Sequence, residues 1–539
     1  MRKWLLAGSM VALVLVGLFC LLLPGEKGIE CQVISEKKAQ SIEQRLSPAS
    51  DFAPFHLLFA GEKLAYDSAG KTFFLPLSLQ DSMWENGQIT ADDGVSVFFT
   101  EDFTKRDKCS LIKDNYAIPF YAVRGQSYEI CYLKLTGLPM LSFAGTDLVT
   151  ESGEVLYELA LYDTGGKTDW VTRCLTTSRL RGNTSLSYEK KSLRLNLKKQ
   201  KKDGSITKEN KNLLGLREDD DWILNSLYAD DTRLRDKLAL DLWQETGAYD
   251  NPYGKNFGVT GEYVEVCIND SYAGLYLLTY PVDRKQLGME AVSAQISSGE
   301  EIVERIYKKK YTAAWKQSDF TGPLADPAMP DFRGGFFLKG DTVLGDLTEW
   351  EPLARMAACM EADDASFAET LPKITDLGNL VDNWLFFQAI GGFDNENKNV
   401  YYVARRKDGD YFGYFVPWDL NISFGAVYAD NAYYCEETLR EIETPVRFEP
   451  GMRAVSLNAG GAAGLAAETW EKWRTDVFST EHVLDRAQKL HDRLTASGAM
   501  AREQQRWPDG NATEDISLLK TFISERLAFV DRYVESFLE

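Results

Sequence analysis

The sequence predicts an α+β protein in which a small β-rich domain precedes a larger region of mixed strands and helices. Between residues 52 and 137, short runs of β-branched and aromatic residues alternate with turn residues, which is typical of strands. From residue 138 onward, strand-like runs alternate with longer stretches that carry apolar residues at helical spacing. The chain is 44% hydrophobic and 26% charged, a composition that indicates a globular protein.

The N-terminus predicts a membrane anchor over residues 1–24. An uncharged run from Trp4 to Leu23 follows Arg2 and Lys3, and it approaches the ~20 residues that a bilayer-spanning helix needs. Because the run is long and no A-x-A-like site follows it, we favour an uncleaved anchor over a cleaved signal peptide. The basic flank then predicts a single-pass protein of the cell membrane whose bulk is extracytoplasmic. The polar residues 25–51 are expected to form a stalk.

Charge and side-chain chemistry exclude several classes of function. The formal net charge of −21 disfavours nucleic acid and anionic lipid as general partners, and leaves the N-terminal helix as the expected membrane contact. The cysteines are scattered singly, without a CxxC pair, so neither a zinc site nor a disulfide framework is predicted. The three histidines have no metal-ligand neighbour at a useful spacing in the sequence, which argues against a His-based triad.

The larger region, residues 138–539, is predicted element by element. Residues 155–163 and 191–199 alternate as strands, and residues 231–247 form an amphipathic helix that stops at a glycine. A hairpin is expected with its turn near Asn269–Asp270. Residues 285–333 are polar and irregular and are predicted to be an insertion or flexible loop, whereas residues 466–539 are expected to be largely helical.

One cluster of cations lies in residues 179–197, where Arg181, Lys190, Lys191 and Arg194 surround a Gly-Asn-Thr-Ser turn. Backbone N–H groups of such a turn, together with flanking cations, suit a bound phosphate. The alternative is a hairpin with a solvated basic face.

A second cluster stands at the beginning of the predicted long helix. Arg233, Arg235 and Asp236 follow the acidic stretch "YADD". Acidic residues in the first turn of a helix are ordinary stabilisers, so helix capping explains this cluster without any ligand.

The third cluster combines Asp394 and Asn399 in a polar loop with Asp419 after the next hairpin. Protein kinases place a catalytic aspartate, an asparagine five residues later and a metal-binding aspartate after a short hairpin in this order. One carboxylate receives the proton of the attacking hydroxyl, while the amide and the second carboxylate hold Mg²⁺ on the phosphates. The intervening residues 395–398 are expected to be turn residues.

Together these motifs resemble the CotH kinase family, the spore coat protein H-like proteins, over roughly Leu138 to Asn421. The resemblance implies an atypical protein-kinase-like fold with two lobes. It also implies an enzyme that uses ATP with Mg²⁺ or Mn²⁺ to phosphorylate hydroxyl side chains of secreted, coat or surface proteins. The motifs that carry it are "RGNTS…EKKSLRLNL", "DDDWILNSLYADDTRLRDKLA", "YAGLYLLTYPVD", "GGFFLKGD", "FDNENKN" and "VPWDLNISFG".

The resemblance implies roles for individual residues. Asp394 looks like the catalytic aspartate, and Asn399 and Asp419 look like the metal ligands. The candidate cations for the nucleotide phosphates are Lys190 or Lys191, Arg181 beside them, and Lys339.

The matching positions also include a scaffold pair and two departures from the family pattern. Arg235-Asp236 matches an Arg-Asp pair that orients or supports the site. Tyr280 stands where the family often has a glutamate, and Asn421 where a second acidic residue is common.

These departures keep open a second hypothesis, in which the protein is a catalytically inactive surface, adhesion or structural module that uses the β-rich domain for binding. A glycosidase with Asp394 and Asp419 as paired carboxylates is a third, weaker hypothesis. The residues carry no signal for an oligomeric state.

Overall fold

The computed structural model describes residues 29–49, 52, 54–76, 87–147, 149–150, 153–163, 170–246, 258–324, 326–429, 432–434 and 442–538. The predicted anchor and the cysteines at positions 20 and 435 lie outside these ranges. Within them, none of the helices combines the length and the apolar character that a bilayer crossing requires. The described residues confirm a mixed α+β fold with a β-rich N-terminal region.

The β-rich region consists of two small sheets. The larger has the strand order β4-β5-β9-β8-β7, with β1 beside β9, and the smaller has the order β3-β2-β6. Inward-facing residues of β9 alternate along the strand, with Cys131, Leu133 and Leu135 fully buried. The elements are α1 (Glu36–Arg45), β1 (Ser47–Pro48), β2 (Leu57–Phe59), β3 (Glu62–Lys63), β4 (Ala65–Asp67), β5 (Thr72–Pro76), β6 (Ile89–Ala91), β7 (Ser96–Phe99), α2 (Lys108–Lys113), β8 (Ile118–Arg124) and β9 (Ser127–Thr136).

The segment predicted as a stalk lies against this region where the structure describes it. Ser35 caps α1 by accepting a hydrogen bond from the backbone of the first turn. Ala39 and Ile42 are buried beside Tyr121 of β8, and the Tyr121 hydroxyl donates to Glu43 Oε1 at 2.6 Å. Residues 29–49 are therefore packed onto the β-rich region.

A closed barrel of seven strands follows. Its strands pair in the order β12-β11-β10-β18-β19-β17-β13, and β13 pairs back to β12, so the ring has no free edge. The predicted strands, the helix and the hairpin turn are confirmed, the turn residues Asn269 and Asp270 both having positive φ. The elements are β10 (Met140–Ala144), β11 (Val155–Tyr162), β12 (Val171–Arg181), β13 (Ser192–Gln200), β14 (Ile206–Lys208), β15 (Lys211–Asn212), β16 (Glu218–Asp219), β17 (Asp221–Asn225), α3 (Arg235–Thr246), β18 (Gly261–Ile268) and β19 (Ser271–Thr279).

The remaining chain forms a five-stranded sheet, of order β21-β22-β20-β23-β24, and a set of packed helices. The helical C-terminal region is confirmed. The elements are α4 (Val292–Ser297), β20 (Arg305–Lys309), α5 (Ser318–Thr321), β21 (Phe332–Arg333), β22 (Phe336–Lys339), α6 (Glu351–Glu361), α7 (Asp364–Ile374), α8 (Leu377–Ile390), β23 (Val400–Lys407), β24 (Asp410–Pro417), β25 (Val427–Ala429), β26 (Ala432–Tyr434), α9 (Glu449–Ser456), α10 (Ala462–Arg474), α11 (Thr480–Ala496), α12 (Ala499–Arg506) and α13 (Ser517–Glu535).

The prediction of an irregular insertion over residues 285–333 is wrong in its middle, because β20 is the central strand of this sheet. Its sequence, "RIYKK", is too charged to resemble a buried strand. Arg305 and Lys309 are nevertheless buried: Arg305 pairs with Glu349 at 3.4 Å, and Lys309 lies over the ring of Trp315. Neighbouring elements satisfy these charges, so hydropathy alone did not reveal the strand.

A buried carboxylate, Glu503 of α12, joins the C-terminal helices to the barrel. It accepts hydrogen bonds from Lys190 Nζ at 2.7 and 2.8 Å, from Arg233 Nε at 3.2 Å and from the backbone N–H of Leu275 at 2.9 Å. The side chains of Lys190, Arg233 and Glu503 are all fully buried. Arg233 also donates to the carbonyl oxygens of Tyr228, Asp230 and Gly510, and so fixes the segment between β17 and α3.

Removing the ammonium group of Lys190 from its ion pair with Glu503 should destabilise the fold strongly. We expect Lys190→Met to lower the free energy of unfolding by about 3–5 kcal/mol, because it leaves a buried charge without one of its two cationic partners. Urea denaturation followed by circular dichroism measures the change.

The exposed pair between Lys489 and Asp485 on α11 provides the matched control. Lys489→Met should cost no more than about 1 kcal/mol. Equal losses in the two variants would contradict the structural role assigned to Lys190.

Candidate active site

A cavity of about 360 Å³ lies between the rim of the barrel and the five-stranded sheet. Five residues that the sequence singled out line it together: Arg181, Lys339, Asp394, Asn399 and Asp419. These residues come from four separate parts of the chain, and the fold places them around one cavity.

The loop between α8 and β23 carries two of these side chains. Helix α8 is apolar on most sides, and its residues from Leu380 to Ile390 are nearly all buried. The helix ends at Gly391 in the left-handed conformation, which turns the chain into the loop. Asn399 Nδ2 then donates to Asp394 Oδ2 at 2.6 Å. Lys398 Nζ forms an ion pair with Asp394 Oδ1 at 2.8 Å.

Asn395 fastens this loop to the end of the β23–β24 hairpin. Its fully buried amide donates to the carbonyl oxygens of Asn399, at 3.0 Å, and of Trp418, at 2.9 Å. The backbone N–H of Trp418 also donates to Asn399 O, at 3.0 Å. The prediction treated Asn395 only as a turn residue. In the structure, Asn395 also determines the separation between Asn399 and Asp419, because it bonds to Asn399 and to the residue before Asp419.

Asp419 lies two residues after the end of β24 and has a φ of +58°, and Asn399 has a φ of +56°. Such left-handed conformations are uncommon outside glycine and are often found at functional sites. The Asp419 side chain is exposed to the cavity, and no described residue forms a hydrogen bond or an ion pair with its carboxylate. This carboxylate is therefore free to receive a ligand from the cavity.

A second carboxyl group, Asp236, lies behind Asp419. It accepts hydrogen bonds from Asn225 Nδ2, at 2.7 Å, and from the backbone N–H of Leu420, at 3.3 Å. Burial, together with the negative charge of Asp419, raises the pKa of Asp236 to about 7. Its predicted partner Arg235 instead binds Asp230 and the carbonyl oxygen of Phe424. The two members of the pair thus hold different walls of the cavity.

Lys308 of β20 is a lining residue that the sequence did not single out. Its ammonium lies 5.2 Å from the ring centre of Trp418 and 5.8 Å from that of Tyr401. Burial lowers its pKa to about 7, and the nearby Asp419 opposes this shift. The signal that could have revealed it is the two-residue spacing of Lys308, on β20, and Lys310, just after its end, since both line the cavity.

The structure does not bring Lys190 and Lys191 into the cavity. Lys190 is fully buried in its ion pair with Glu503. Lys191 Nζ donates to the carbonyl oxygen of Leu186 at 2.5 Å and holds the Gly-Asn-Thr-Ser turn. Arg194 does line the cavity, where it is paired with Asp221.

A second cavity, of about 430 Å³, adjoins the first and shares four lining cations with it. These shared residues are Arg181, Arg194, Lys308 and Lys339. The remaining wall includes apolar side chains, and these are Ile223, Val282, Met289, Val292, Ile306 and Tyr401. The same wall carries six carboxylates, and these belong to Asp220, Asp221, Asp283, Glu290, Glu304 and Asp341. Four cations are thus shared by two cavities with largely polar walls, in a protein whose net charge is −21.

The two departures from the family pattern lie in different environments. Asn421 lines the first cavity beside Asp419. Tyr280 is buried outside both cavities, where its ring packs against Trp222 and lies 4.4 Å from the guanidinium of Arg217. The change at position 421 therefore alters the cavity directly, whereas Tyr280 belongs to the packed wall of the barrel.

His56 has carboxylate neighbours that its sequence spacing did not reveal. The pairing of β2 with β6 brings it beside Asp92 and Asp93, and the ligand atoms of the three side chains lie within 4.8 Å of one another. His56 Nδ1 is 2.7 Å from Asp92 Oδ2 and is engaged in that hydrogen bond. This group lies in the β-rich region, apart from the residues of the two cavities.

Comparison with curated proteins finds no match for the chain. A protein-family model, described as the CotH kinase protein, matches residues 178–530. The matched span includes every residue that lines the two cavities. It covers the barrel from the end of β12, the five-stranded sheet and the helices up to α13. The chain belongs to the CotH kinase protein family.

Proposed function

We propose that the protein is a kinase that transfers the γ-phosphate of ATP to hydroxyl side chains of secreted or cell-surface proteins. The observation that carries this proposal is the convergence of Asp394, Asn399, Asp419 and Lys308 on one cavity of the family domain. The barrel and the five-stranded sheet would be the two lobes of the predicted kinase-like fold. Anchoring through the segment from Trp4 to Leu23, with an extracytoplasmic catalytic region, is part of the same proposal.

The donor set of the cavity fits a divalent cation. Mg²⁺ and Mn²⁺ prefer oxygen ligands, and Mg²⁺ is commonly held by one or two carboxylates together with substrate phosphates. Asp419 offers a carboxylate without a described partner, and the amide of Asn399 is oriented by its bond to Asp394. Asn399 and Asp419 would therefore hold the ion, which when bound would neutralise charge on the phosphates.

The shared row of cations supports a position for the nucleotide. Arg181, Lys308 and Lys339 face both cavities, so a triphosphate lying across them would reach Asp419 from the second cavity. The cavity of about 430 Å³ has the size of a small-molecule site, and its apolar side chains, such as Ile223, Val292 and Ile306, would contact the nucleoside. The acceptor hydroxyl would then enter from the polar cavity.

Asp394 is placed to receive the proton of that hydroxyl. Burial raises the pKa of its carboxyl group, and the ion pair with Lys398 opposes the rise. Its two oxygens each accept one bond, from Lys398 and from Asn399, and each keeps a further lone pair. Lys398 therefore balances the charge of the base while Asn399 fixes its orientation.

Loss of the proposed metal ligand should abolish nucleotide binding. With ATP and Mg²⁺ at a hundred times the dissociation constant, the wild-type chain should gain about 2.7 kcal/mol of stability. Asp419→Ala should remove the corresponding thermal shift, while Asp485→Ala on the exposed face of α11 should keep it. Absence of a shift with any nucleotide in the wild-type chain would favour the inactive surface or adhesion module.

Loss of the proposed base should affect transfer without affecting binding. We expect Asp394→Asn to keep the ATP-dependent thermal shift and to lower the rate of phosphate transfer by about 10²–10⁴-fold, the usual contribution of a positioned base. Labelled ATP, with self-labelling or labelling of a co-expressed surface protein as the readout, measures the rate. Transfer at the wild-type rate in this variant would exclude Asp394 as the base.

Nucleotide binding should be coupled to protonation of Lys308. Because its pKa is about 7, most of this side chain is neutral at pH 8. A neighbouring triphosphate favours the charged form, so binding should take up about one proton per nucleotide. Calorimetric titration of ATP and Mg²⁺ in two buffers of different ionisation enthalpy measures this uptake. Lys308→Met should lose it, and an unchanged uptake in that variant would assign the proton to another group.

A further inference from the structure

A third cavity, of about 320 Å³, lies where the β-rich region meets the barrel and α12. It shares no lining residue with the two cavities of the candidate active site. Its walls include Asp67 of β4, Lys134 of β9, Tyr272 of β19, and Arg502 and Arg506 of α12. Three cations and one carboxylate thus meet at the junction of three parts of the fold.

Lys134 has no partner for its charge in the part of the chain that the structure describes. Its side chain is half-buried on the strand that pairs with β5, opposite Phe74. Burial and the nearby Arg502 lower its pKa, while Glu265 and Asp67 oppose this shift. A half-buried ammonium without a hydrogen-bond acceptor is costly, unless a ligand supplies the acceptor.

Arg506 also retains unused donors. Its Nε donates to Tyr272 O at 2.7 Å, and its guanidinium lies 4.0 Å from the ring centre of Trp507. This stacking fixes the plane of the guanidinium. The side chain is exposed to solvent, and neither of its terminal nitrogens bonds to another residue within the described ranges, so a ligand oxygen could replace water there.

The other charged groups of the cavity are already engaged. Arg502 donates to both oxygens of Glu265, at 2.6 and 2.8 Å. The oxygens of Asp67 accept the backbone N–H groups of Tyr272, at 3.1 Å, and of Gly70, at 3.0 Å. Among the described residues that line the cavity, Asp67 is the one carboxylate that faces Lys134 and Arg506, because Glu265 is paired with Arg502. The cavity therefore has an excess of positive charge.

We propose that this junction cavity binds a phosphate group through Lys134 and Arg506. Lys134 lies on β9 and Arg506 on α12, and a tetrahedral anion has enough oxygens to accept from both. An arginine fork and a lysine point charge are a common pair of phosphate ligands. The cavity is also large enough for a group attached to the phosphate. The ligand is therefore free phosphate or the phosphate monoester of a phosphorylated side chain.

The bound group would join the β-rich region to the helix that carries Glu503. Lys134 lies on the accessory sheet, whereas Arg506 and Glu503 share α12. Glu503 in turn holds Arg233 and the segment that lines the candidate active site. Occupancy of the junction cavity would thus strengthen the contact on which that segment depends.

Calorimetric titration of the full chain tests this site without requiring kinase activity. Inorganic phosphate and O-phosphoserine are titrated into a chain that carries Lys308→Met, which weakens binding at the active-site cations. Adding Lys134→Gln or Arg506→Gln should weaken binding about tenfold or more, because each removes a charge-assisted hydrogen bond. Lys113→Gln, at the exposed end of α2, is the matched control and should leave binding unchanged.

The two ligands separate the two sources of the phosphate group. Tighter binding of O-phosphoserine than of inorganic phosphate supports a phosphorylated side chain, and equal or weaker binding supports free phosphate. Serine is the negative control. Absence of binding by either phosphate compound at millimolar concentration overturns the proposal, as does unchanged affinity in Lys134→Gln. If Arg506→Gln fails to fold, Lys134→Gln alone decides the outcome.

Discussion

The carboxylate of Glu503 is the constraint on which the arrangement of the candidate site depends. A fully buried carboxylate must be neutralised and hydrogen-bonded, and this one is satisfied only where the barrel, α12 and the segment before α3 meet. The position of Arg233 follows from this requirement, and with it the course of residues 227–230 along the cavity. A charge pair that touches no ligand thus determines the shape of one wall.

The order of the candidate site residues was predictable from sequence because the unit that carries them is local. Asp394, Asn399 and Asp419 lie within one helix–loop–hairpin unit whose apolar strands and polar loops alternate clearly. Strands β11 and β13, the β18–β19 hairpin and helix α3 were predictable for the same reason. The role of Asn395 could not be predicted from the sequence, because its two acceptors, Asn399 O and Trp418 O, become neighbours only when the hairpin forms.

The choice among lysines could not be predicted, for a different physical reason. Lys190 and Lys308 both lie in charged stretches of the sequence, and only their partners across the fold distinguish them. Lys190 forms an ion pair with Glu503, which lies 313 residues later in the chain. Lys308 instead contacts the rings of Trp418 and Tyr401 beside the cavity. Buried charges also made β20 look like a loop. Hydropathy patterns do not reveal a buried strand when its charged side chains are satisfied by ion pairs and aromatic rings instead of water.

The distance along the chain between Lys190 and Glu503 also determines when their ion pair can form during synthesis of the protein. The barrel strands are made early, but the carboxylate that neutralises Lys190 and Arg233 is made 313 residues after Lys190. Until then, the two cations have no partner at that position, and contacts of such long sequence separation form late in folding. A nascent chain would thus carry the residues of the cavity long before it could hold them in place. The cavity would therefore reach its final shape only after Glu503 has been made.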